Sequence, residues 1–471
     1  MGCTAEGRAL QTLGDSSYAR ERIRRSAAER THRRPASRCD RYPEPGLFAS
    51  QQMASGKMSF DNDAVYARRV VGAVLVIAAV MALVDVGHGW GRAEDRGAVP
   101  TASGSRSPTP AAAAARVSIE PADDARKVRP DRPVVVRAAG GRLTSVSVTS
   151  KDGRDLSGSF DADRTTWTST WAMSPSARYV AKATAENRDH EATTETSAFR
   201  TLTPRATFGA TANTIAPGGS TVGVGFPLIL DFSVPIEDKA DVERALEVRM
   251  SRPVEGAWHW TSDTQIVFRP KEYWPAHQKI RLVAHLTGVR AAPGVFGDKN
   301  LSKRWTVGEQ VIVKASAKTK RAVVYENGEK VKSWPVSMGQ GGVWKYHTTS
   351  GIHLTMGRSN PEQMISPGIE KGQPGYYDEL VYWAVRISNS GEYIHSMPST
   401  VWAQGRQNVS HGCINSPPKK AEWFYEYQHP GDVVVITGTP RKLEYDNGWG
   451  FWQKSWKSWV AGGALNKPVT P

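Results

Sequence analysis

The chain has 471 residues, a length that allows three or four domains, and a formal net charge of +15 at pH 7. The charge is diffuse and no helix-turn-helix, zinc finger or aromatic-basic repeat accompanies it, which argues against nucleic-acid binding. A basic surface suits either an anionic polymer outside the cell or simple solvation. Cys3 and Cys39 precede an apolar segment and Cys413 alone follows it, which excludes a disulfide scaffold beyond that segment unless two chains pair.

The first 67 residues are rich in Arg, Ser and Ala, with scattered prolines and no sustained apolar period. Such a composition cannot bury enough apolar surface to fold, so residues 1–67 are predicted to form a disordered cytoplasmic tail. Met53 and Met58 are alternative starts, in which case part of this tail is not translated.

An uncharged apolar run extends from Val70 to Val84 behind Arg68 and Arg69. As a helix it spans about 22 Å, short of the roughly 30 Å core of a bilayer, so it needs the residues that follow to cross. The two arginines place the N-terminus in the cytoplasm. Residues 68–90 are predicted to be a signal anchor, with a cleaved leader as the alternative. The Pro/Ser/Ala-rich residues 91–115 form a linker to an extracytoplasmic remainder.

Two successive regions have the pattern of small β-sandwiches. Residues 116–203 contain short alternating stretches separated by turn signals such as Asp152-Gly153, and the predicted strands are 134–136, 143–148, 167–171 and 179–185. Residues 204–307 continue the pattern with predicted strands at 227–234, 265–269 and 280–286, a helix at 239–247 and a closing turn at 294–300. We interpret both regions as immunoglobulin-like domains.

The aromatic residues of the second region are predicted to pack in its core and at domain contacts rather than to form a sugar-binding platform. They are Trp258, Trp260, Tyr273 and Trp274.

Strands dominate again from residue 308. The segments 310–315, 321–326 and 329–336 alternate, and Asn327-Gly328 between the last two is a two-residue hairpin turn. A strand at 433–437 closes this sheet. The region 308–440 is followed by a Trp-rich segment, 441–471. In it, the i, i+4, i+7 spacing of Trp452, Trp456 and Trp459 predicts one apolar helical face.

The run Ser-His-Gly-Cys-Ile-Asn at 410–415 carries the chemistry. His395 lies upstream, with fourteen residues between it and Ser410. A lone thiol with histidines nearby is how a chain builds a nucleophile and its base. An imidazolium beside Cys413 is expected to pull the thiol pKa below its free value.

This pattern, His-x14-Ser-His-Gly-Cys-Ile-Asn, resembles the L,D-transpeptidase family, whose catalytic domain it implies for residues 308–440. The domain order and Trp-rich tail resemble the mycobacterial-type members that cross-link peptidoglycan. The resemblance predicts a mainly β protein: two immunoglobulin-like β-sandwiches, then the L,D-transpeptidase catalytic domain and the C-terminal segment. It also implies that this segment, 441–471, packs back on the catalytic domain and the sandwiches.

The resemblance also implies roles for residues in the motif. Cys413 is the predicted nucleophile and His395 the general base, oriented through the backbone carbonyl of Ser396. His411 is either a second base or a support of the loop and oxyanion, of which we favour the support.

The amides of Gly412 and Cys413 are the predicted oxyanion donors, and Asn415 caps the loop backbone. The Gly/Pro-rich stretch 353–374, which contains Met364, is read either as a mobile lid or as an ordinary surface loop. Tyr377 lies eighteen residues before His395, where the resemblance implies a tyrosine on the lid, in contact with the substrate.

One position departs from the family pattern. Ser399 stands where mycobacterial-type enzymes place a tryptophan, and Trp402 is a candidate to replace it in contacting the substrate. No cofactor is predicted. A zinc site built on His395, His411 and Cys413 is disfavoured because their spacing is unusual and no fourth ligand stands out. A serine triad is disfavoured because no Gly-x-Ser-x-Gly elbow occurs.

By resemblance, the enzyme forms a Cys413 thioester with a peptidoglycan tetrapeptide stem and passes the acyl group to a second stem, making a 3→3 cross-link in the cell wall. Carbapenems, which are β-lactams, are expected to acylate the same cysteine. Two alternatives stay open: a carboxypeptidase or exchange enzyme that uses water or a D-amino acid as acceptor, and a non-catalytic wall-binding scaffold.

Overall fold

The computed structural model describes residues 113–213 and 221–469. The predicted tail at 1–67, the signal anchor at 68–90 and nearly all of the linker at 91–115 lie outside these ranges. Among the described residues, no helix is both long enough and apolar enough to cross a bilayer. The described chain is mainly β-structure.

The first sandwich consists of two antiparallel sheets. Its strands are β1 (Arg116–Glu120), β2 (Val135–Ala139), β3 (Arg142–Ser150), β4 (Gly158–Phe160), β5 (Thr166–Ser169), β6 (Arg178–Glu186) and β7 (Ala192–Arg200). One sheet has the order β1-β2-β5-β4 and the other β3-β6-β7. Leu143, Trp167, Tyr179 and Phe199 pack between them.

The alternating pattern predicted strands β2, β3, β5 and β6 but missed β1, β4 and β7. In β7 the residues that alternate are mostly Thr, Ser and Ala, so the strand lacks an apolar signal. It forms a strand because it pairs along its whole length with β6. Small and polar residues become a strand here because a neighbouring strand supplies hydrogen-bond partners.

The second sandwich comprises β8 (Ala206–Phe208), β9 (Ala210–Ala212), β10 (Thr221–Val222), β11 (Leu228–Phe232), α1 (Lys239–Arg244), β12 (Leu246–Met250), β13 (Gly256–Ser262), β14 (Gln265–Pro270), β15 (Lys279–Ala284), β16 (Arg290–Ala292), β17 (Val295–Gly297) and β18 (Leu301–Val307). Its sheets have the orders β10-β18-β15-β12, β13-β14-β11-β9 and β16-β17-β8. Trp258 and Trp274 are buried in its core, and Trp260 and Tyr273 pack against it, which confirms the predicted packing role of the four aromatic residues.

Two local predictions for this region are wrong. The helix expected over 239–247 ends at Arg244, because Leu246 and Val248 turn inward and pair with β15. The expected closing turn at 294–300 contains β17, which pairs with β16 and runs parallel to β8. In both cases a strand partner distant in sequence decided the conformation.

The third region carries the motif. Its elements are β19 (Val311–Ser316), β20 (Arg321–Glu326), β21 (Glu329–Pro335), β22 (Gly351–Leu354), β23 (Arg358–Ser359), β24 (Glu362–Ile365), β25 (Asp378–Arg386), β26 (Tyr393–Ser396), β27 (Ile414–Ser416), α2 (Pro418–Tyr427), β28 (Val433–Thr437) and the 3₁₀ helices Trp344–Tyr346 and Pro398–Ala403. One sheet has the order β21-β20-β19-β28-β22. The other joins β23, β25, β26 and β27, with β24 paired to β25.

The predicted hairpin between β20 and β21 is confirmed, since Asn327 and Gly328 both have positive φ, at 50° and 87°. Strand β28 closes the sheet in an unexpected place. It inserts between β19 and β22, parallel to the first and antiparallel to the second.

The third region, called the catalytic region below after the predicted role of its motif, shares a core with the second sandwich. Leu354 and Val433 belong to the same apolar cluster as the sandwich residues. The loop that follows α2 is hydrogen-bonded to the second sandwich. The Gly223 amide donates to the Pro430 carbonyl, and the Gly225 amide donates to the Gly431 carbonyl. The backbones approach so closely that a Cβ at Gly223 would collide with main-chain atoms of this loop.

The C-terminal segment packs mainly on the second sandwich and partly on the catalytic region. It contains the 3₁₀ helix Gly450–Gln453 and helix α3 (Trp456–Val460), separated by a break, so the single helical face predicted from the tryptophan spacing is wrong. The Trp459 indole donates to the Ala257 carbonyl at 2.9 Å. On the catalytic side, the Gln453 amide donates to the Ile352 carbonyl at 2.9 Å.

Candidate active site

A cavity of about 460 Å³ lies between the β24–β25 hairpin, the turn from β25 to β26, and residues 409–413, which we call the nucleophile loop. Seven of the predicted site residues line it: Met364, Tyr377, His395, His411, Gly412, Cys413 and Asn415. Residues as far apart in sequence as Met364 and Cys413 thus line the same cavity.

Sheet register brings the predicted nucleophile and base together. Strands β26 and β27 are parallel, and His395 is directly opposite Asn415. Residues two apart in extended chain point to the same face of a sheet, and so do residues paired on neighbouring strands. Cys413, two residues before Asn415, therefore points to the same face as His395. The separation of fourteen residues between His395 and the motif therefore corresponds to one crossover between neighbouring strands.

Cys413 is held as a neutral thiol. Its Sγ lies 3.6 Å from the carbonyl oxygen of Gly391, to which it donates, and 3.9 Å from the Met364 sulfur. Burial raises the pKa of Cys413 to about 12, a backbone contact at Tyr393 lowers it slightly, and the Glu392 carboxylate raises it further.

His395 is neutral for the same reason. The side chain is 2% exposed, and burial lowers its pKa to about 4, against a partial opposing effect of the Ser396 carbonyl. Its Nδ1 is buried without a hydrogen-bond partner. The expected thiolate–imidazolium pair is thus contradicted in this structure, because desolvation penalises both charges.

The nucleophile loop is held by a residue to which the motif analysis gave no role. The Ser410 hydroxyl donates to the Cys413 carbonyl at 2.6 Å and accepts from the Gly412 amide at 3.2 Å. Gly412 has φ of +134°, a conformation that L side chains rarely adopt, so glycine is required there. Because its amide is engaged by Ser410, the prediction that Gly412 donates to an oxyanion is not met, which leaves the Cys413 amide as the candidate donor.

His411 lies between two tyrosine rings. It stacks on Tyr377 with ring centroids 4.6 Å apart and an interplanar angle of 12°, and meets Tyr346 edge-on at 4.5 Å. Burial lowers its pKa; Glu379 opposes this effect and Lys345 adds to it. Ring contacts, rather than the expected hydrogen bonds to the loop, therefore define its surroundings.

The predicted lid is a β-hairpin rather than one long loop. His353, where the predicted stretch begins, is buried in β22, and the later part folds into β24, which pairs with β25. Met364 on β24 and Tyr377 just before β25 line the cavity from this hairpin. Burial raises the pKa of Tyr377, with a further contribution from Cys413.

Two other predicted residues lie differently from expectation. The Asn415 side chain donates to the Thr400 hydroxyl at 3.0 Å and so anchors the 3₁₀ helix 398–403 rather than the loop backbone. Trp402 is 61% exposed and does not line the cavity, so the idea that it replaces the missing tryptophan is wrong; Met397 and Thr400 line the wall instead.

Ser396 is consistent with its predicted role. Its side chain is buried and does not line the cavity, but its backbone carbonyl acts on His395 and raises the pKa of that imidazole.

Charges of opposite sign lie at the cavity. Lys345 and Arg441 line one part of its wall, and the Arg441 guanidinium donates to the Lys345 carbonyl at 3.2 Å. Glu362 and Glu379, from the hairpin, line another part. The wall of the cavity therefore offers both signs of charge to a bound molecule.

These features define a class of protein: a cysteine acyltransferase with a thiol and an imidazole in one cavity of a β-rich domain. Residues 310–436 match the family model described as L,D-transpeptidase catalytic domain, and residues 125–290 match one described as Bacterial Ig domain.

Among similar proteins, L,D-transpeptidase 5 of Mycobacterium tuberculosis is 34% identical over 76% of this chain and 78% of its own. L,D-transpeptidase 2 of the same species is 35% identical over 73% of this chain and 83% of its own. The solved structure of the LD transpeptidase LdtMt1 in complex with imipenem is 29% identical over 48% of this chain and 98% of that chain, with a TM-score of 0.41. The chain belongs to the L,D-transpeptidase family and is a peptidoglycan transpeptidase, an acyltransferase.

Proposed function

We propose that this enzyme forms 3→3 cross-links between peptidoglycan stems through a thioester on Cys413, as part of cell-wall biogenesis. The observation that carries the proposal is the placement of Cys413 and His395 in one cavity, on the same side of the β26–β27 pair. Neither a metal ion nor a nucleotide is needed, because covalent catalysis divides the exchange into two acyl transfers.

In the first transfer, His395 takes the Cys413 proton as the sulfur attacks the carbonyl carbon of the third residue of a tetrapeptide stem. The C–S bond forms, and the negative charge on the carbonyl oxygen is received by the Cys413 amide. The C–N bond to the terminal D-residue then breaks, and the imidazolium returns the proton to the departing amine. Both groups are neutral before and after this step, in keeping with their burial.

In the second transfer, the side-chain amine of another stem attacks the thioester. Its proton passes to His395, the new amide forms, and the thiol is restored. Water is the competing acceptor, so the β24–β25 hairpin, with Met364 and Tyr377 facing the cavity, has to exclude it.

The charged walls give the two stems different places. Lys345 and Arg441 suit the terminal carboxylate of the donor, and Glu379 suits the incoming amine of the acceptor. We further propose that the enzyme acts outside the cytoplasm, anchored through residues 68–90 or released from them by cleavage. The support for this location is the apolar run from Val70 to Val84 behind Arg68-Arg69.

The test is the intact mass of the purified full-length chain after incubation with imipenem, beside a Cys413→Ala variant. We expect one adduct on the wild type and none on the variant. Incubation with tetrapeptide stems then distinguishes the acceptors, because a cross-linked dimer, a tripeptide or an exchanged stem each has its own mass. A folded wild type that gains no adduct overturns the thioester mechanism and favours the wall-binding scaffold.

A further inference from the structure

A buried ionisable pair, Glu392 and His353, lies under the nucleophile loop and takes no part in the steps above. Glu392 is 3% exposed and His353 is fully buried. The Glu392 carboxylate accepts from the Thr349 amide at 2.7 Å and from the Thr349 hydroxyl at 2.6 Å. His353 Nδ1 lies 4.0 Å from the same carboxylate. A carboxylate this deeply buried needs a charged or hydrogen-bonding partner to remain ionised.

Backbone carbonyls surround the His353 ring. Nδ1 lies 3.2 Å from the Ile387 carbonyl oxygen, and Nε2 lies 2.9 Å from the Thr349 carbonyl oxygen. The ring is therefore fixed between the start of the β25–β26 turn and the segment before β22, with the Glu392 carboxylate beside it.

This pair holds both ends of the turn between β25 and β26. His353 binds the Ile387 carbonyl at the start of the turn, and Glu392 is at its end. The Ile387 amide closes the turn by donating to the Glu392 carbonyl at 2.9 Å, and the Glu392 amide donates to the Ser388 hydroxyl at 3.0 Å. The turn carries Gly391, whose carbonyl receives the Cys413 thiol.

A second contact reaches the nucleophile loop directly. A Cβ built on Gly412 would lie 3.7 Å from Cγ of Glu392, so the Glu392 side chain borders the residue before Cys413. The same carboxylate is also close enough to Cys413 to raise the pKa of its thiol, after the larger effect of burial. Glu392 thus lies against the nucleophile loop. In sequence it directly follows Gly391, whose carbonyl accepts from the Cys413 thiol.

We propose that Glu392 and His353 are positioning residues: their paired side chains hold the Gly391 carbonyl and the Gly412 backbone, which orient the Cys413 thiol. This inference rests on the proposed function, since it concerns the same nucleophile. Glu392 lines the cavity and His353 does not, but both Glu392 oxygens are engaged by Thr349, so the pair acts mainly on the rate of acylation rather than on the affinity for the acyl donor.

Charge gives the proposal a second signature. Removing the Glu392 carboxylate takes away a charge that raises the pKa of the Cys413 thiol. Tyr377 and Tyr393 also interact electrostatically with Cys413, and Glu444 with His353. Loss of Glu392 should therefore make the thiol more acidic and yet slower in acylation. Local unfolding would also lower the thiol pKa, by exposing the sulfur, so the half-saturating imipenem concentration and the melting temperature distinguish loss of positioning from unfolding.

The experiment compares Glu392→Gln with the wild type in the full-length chain. Three quantities are measured: the maximal imipenem acylation rate, the imipenem concentration at half that rate, and the pH midpoint of thiol alkylation by iodoacetamide. We expect the maximal rate to fall about 10- to 100-fold, because small misplacements of reacting atoms have effects of that size. The half-saturating concentration should stay within about twofold, and the alkylation midpoint should move to lower pH.

Two further variants separate positioning from stability. Glu243→Gln changes another buried glutamate, which accepts from the Trp260 indole and the Ala464 amide in the second sandwich, and should leave the acylation rate of folded protein unchanged. The double variant Glu392→Leu, His353→Leu replaces the pair with apolar side chains, an exchange that often preserves folding. It should melt near the wild type and still acylate slowly.

Folded Glu392→Gln with the wild-type rate overturns the inference. If that variant fails to fold, the double variant decides, and a folded double variant with the wild-type rate also overturns it. Failure of the proposed function appears differently, as a wild type that imipenem does not acylate at Cys413.

Discussion

The cavity around Cys413 and the junction between the C-terminal segment and the second sandwich both bury ionisable groups, but the two regions treat charge in opposite ways. At the junction Arg269 is 2% exposed, and its guanidinium lies over the rings of Trp452 and Trp459, at 4.5 and 4.8 Å from their centroids. It also donates to the Lys454 carbonyl at 3.0 Å. Burial lowers the pKa of Arg269 only to about 10, so it remains charged at neutral pH.

In the cavity the thiol of Cys413 and the imidazole of His395 are both neutral, since no ring or opposite charge compensates for their desolvation. His395 Nδ1 and Asn415 Oδ1 are buried without hydrogen-bond partners, and so is Arg269 Nε at the junction, so unpaired atoms alone do not distinguish the two regions. The difference teaches that aromatic rings and a carbonyl can keep a buried group charged, whereas burial without such partners favours the neutral forms of the thiol and the imidazole. Four measurements break or sharpen that distinction.

Replacing the base should have the largest effect. His395→Gln removes the acceptor of the thiol proton and should lower the imipenem acylation rate about 10²- to 10⁴-fold, the range for general-base loss. The measurement is time-resolved mass spectrometry of the adduct, with circular dichroism as the control for folding. Wild-type acylation by folded His395→Gln would remove His395 from the mechanism.

Replacing a buried residue of the junction should lower the free energy of unfolding without changing the acylation rate. Trp459 is fully buried and packs against Ile229 and Ala257, so Trp459→Ala should cost about 3–5 kcal/mol of unfolding free energy. Urea denaturation measures this cost. Under conditions where the variant is folded, its acylation rate should match the wild type; a slower rate would show that the junction also shapes the cavity.

The pH dependence of stability should report the neutral imidazole. Burial lowers the pKa of His395 to about 4 in the folded chain, from the ordinary 6.5 of a histidine in the unfolded chain. Between these values the unfolded chain binds a proton that the folded chain does not, so stability falls as pH falls, by about 3 kcal/mol from this group. Urea unfolding at pH 7, 6, 5 and 4 should show a smaller loss for His395→Gln than for the wild type. Equal losses would contradict the depressed pKa.

The smallest effects come from the cavity wall. Met364 contacts the sulfur, and its replacement in Met364→Ala should slow acylation about tenfold by loosening the hairpin over the cavity. Trp402→Ala serves as the matched control, because this side chain is 61% exposed and lies outside the cavity. Its rate should stay within about twofold of the wild type. A larger loss in Trp402→Ala than in Met364→Ala would reverse the assignment of the wall.

Much of the architecture could be predicted because local pattern and fold agree. The hairpin at Asn327-Gly328 needs two positive φ values, which this dipeptide tolerates, and the apolar alternation of β3 and β6 faces one core. The polar strand β7 and the central place of β28 could not be predicted, since each depends on hydrogen-bond partners far away in sequence.

For the site, the chain alone determined which residues could do chemistry: a lone thiol in Ser-His-Gly-Cys and a histidine at the spacing of one strand crossover. Only the tertiary structure decided their state. Whether Cys413 and His395 are charged, whether His411 meets rings or carbonyls, and whether Glu392 finds His353 all depend on side chains brought together from separate strands. Desolvation and Coulomb energy act through space, so the order of residues specifies the candidates and the fold specifies their electrostatics.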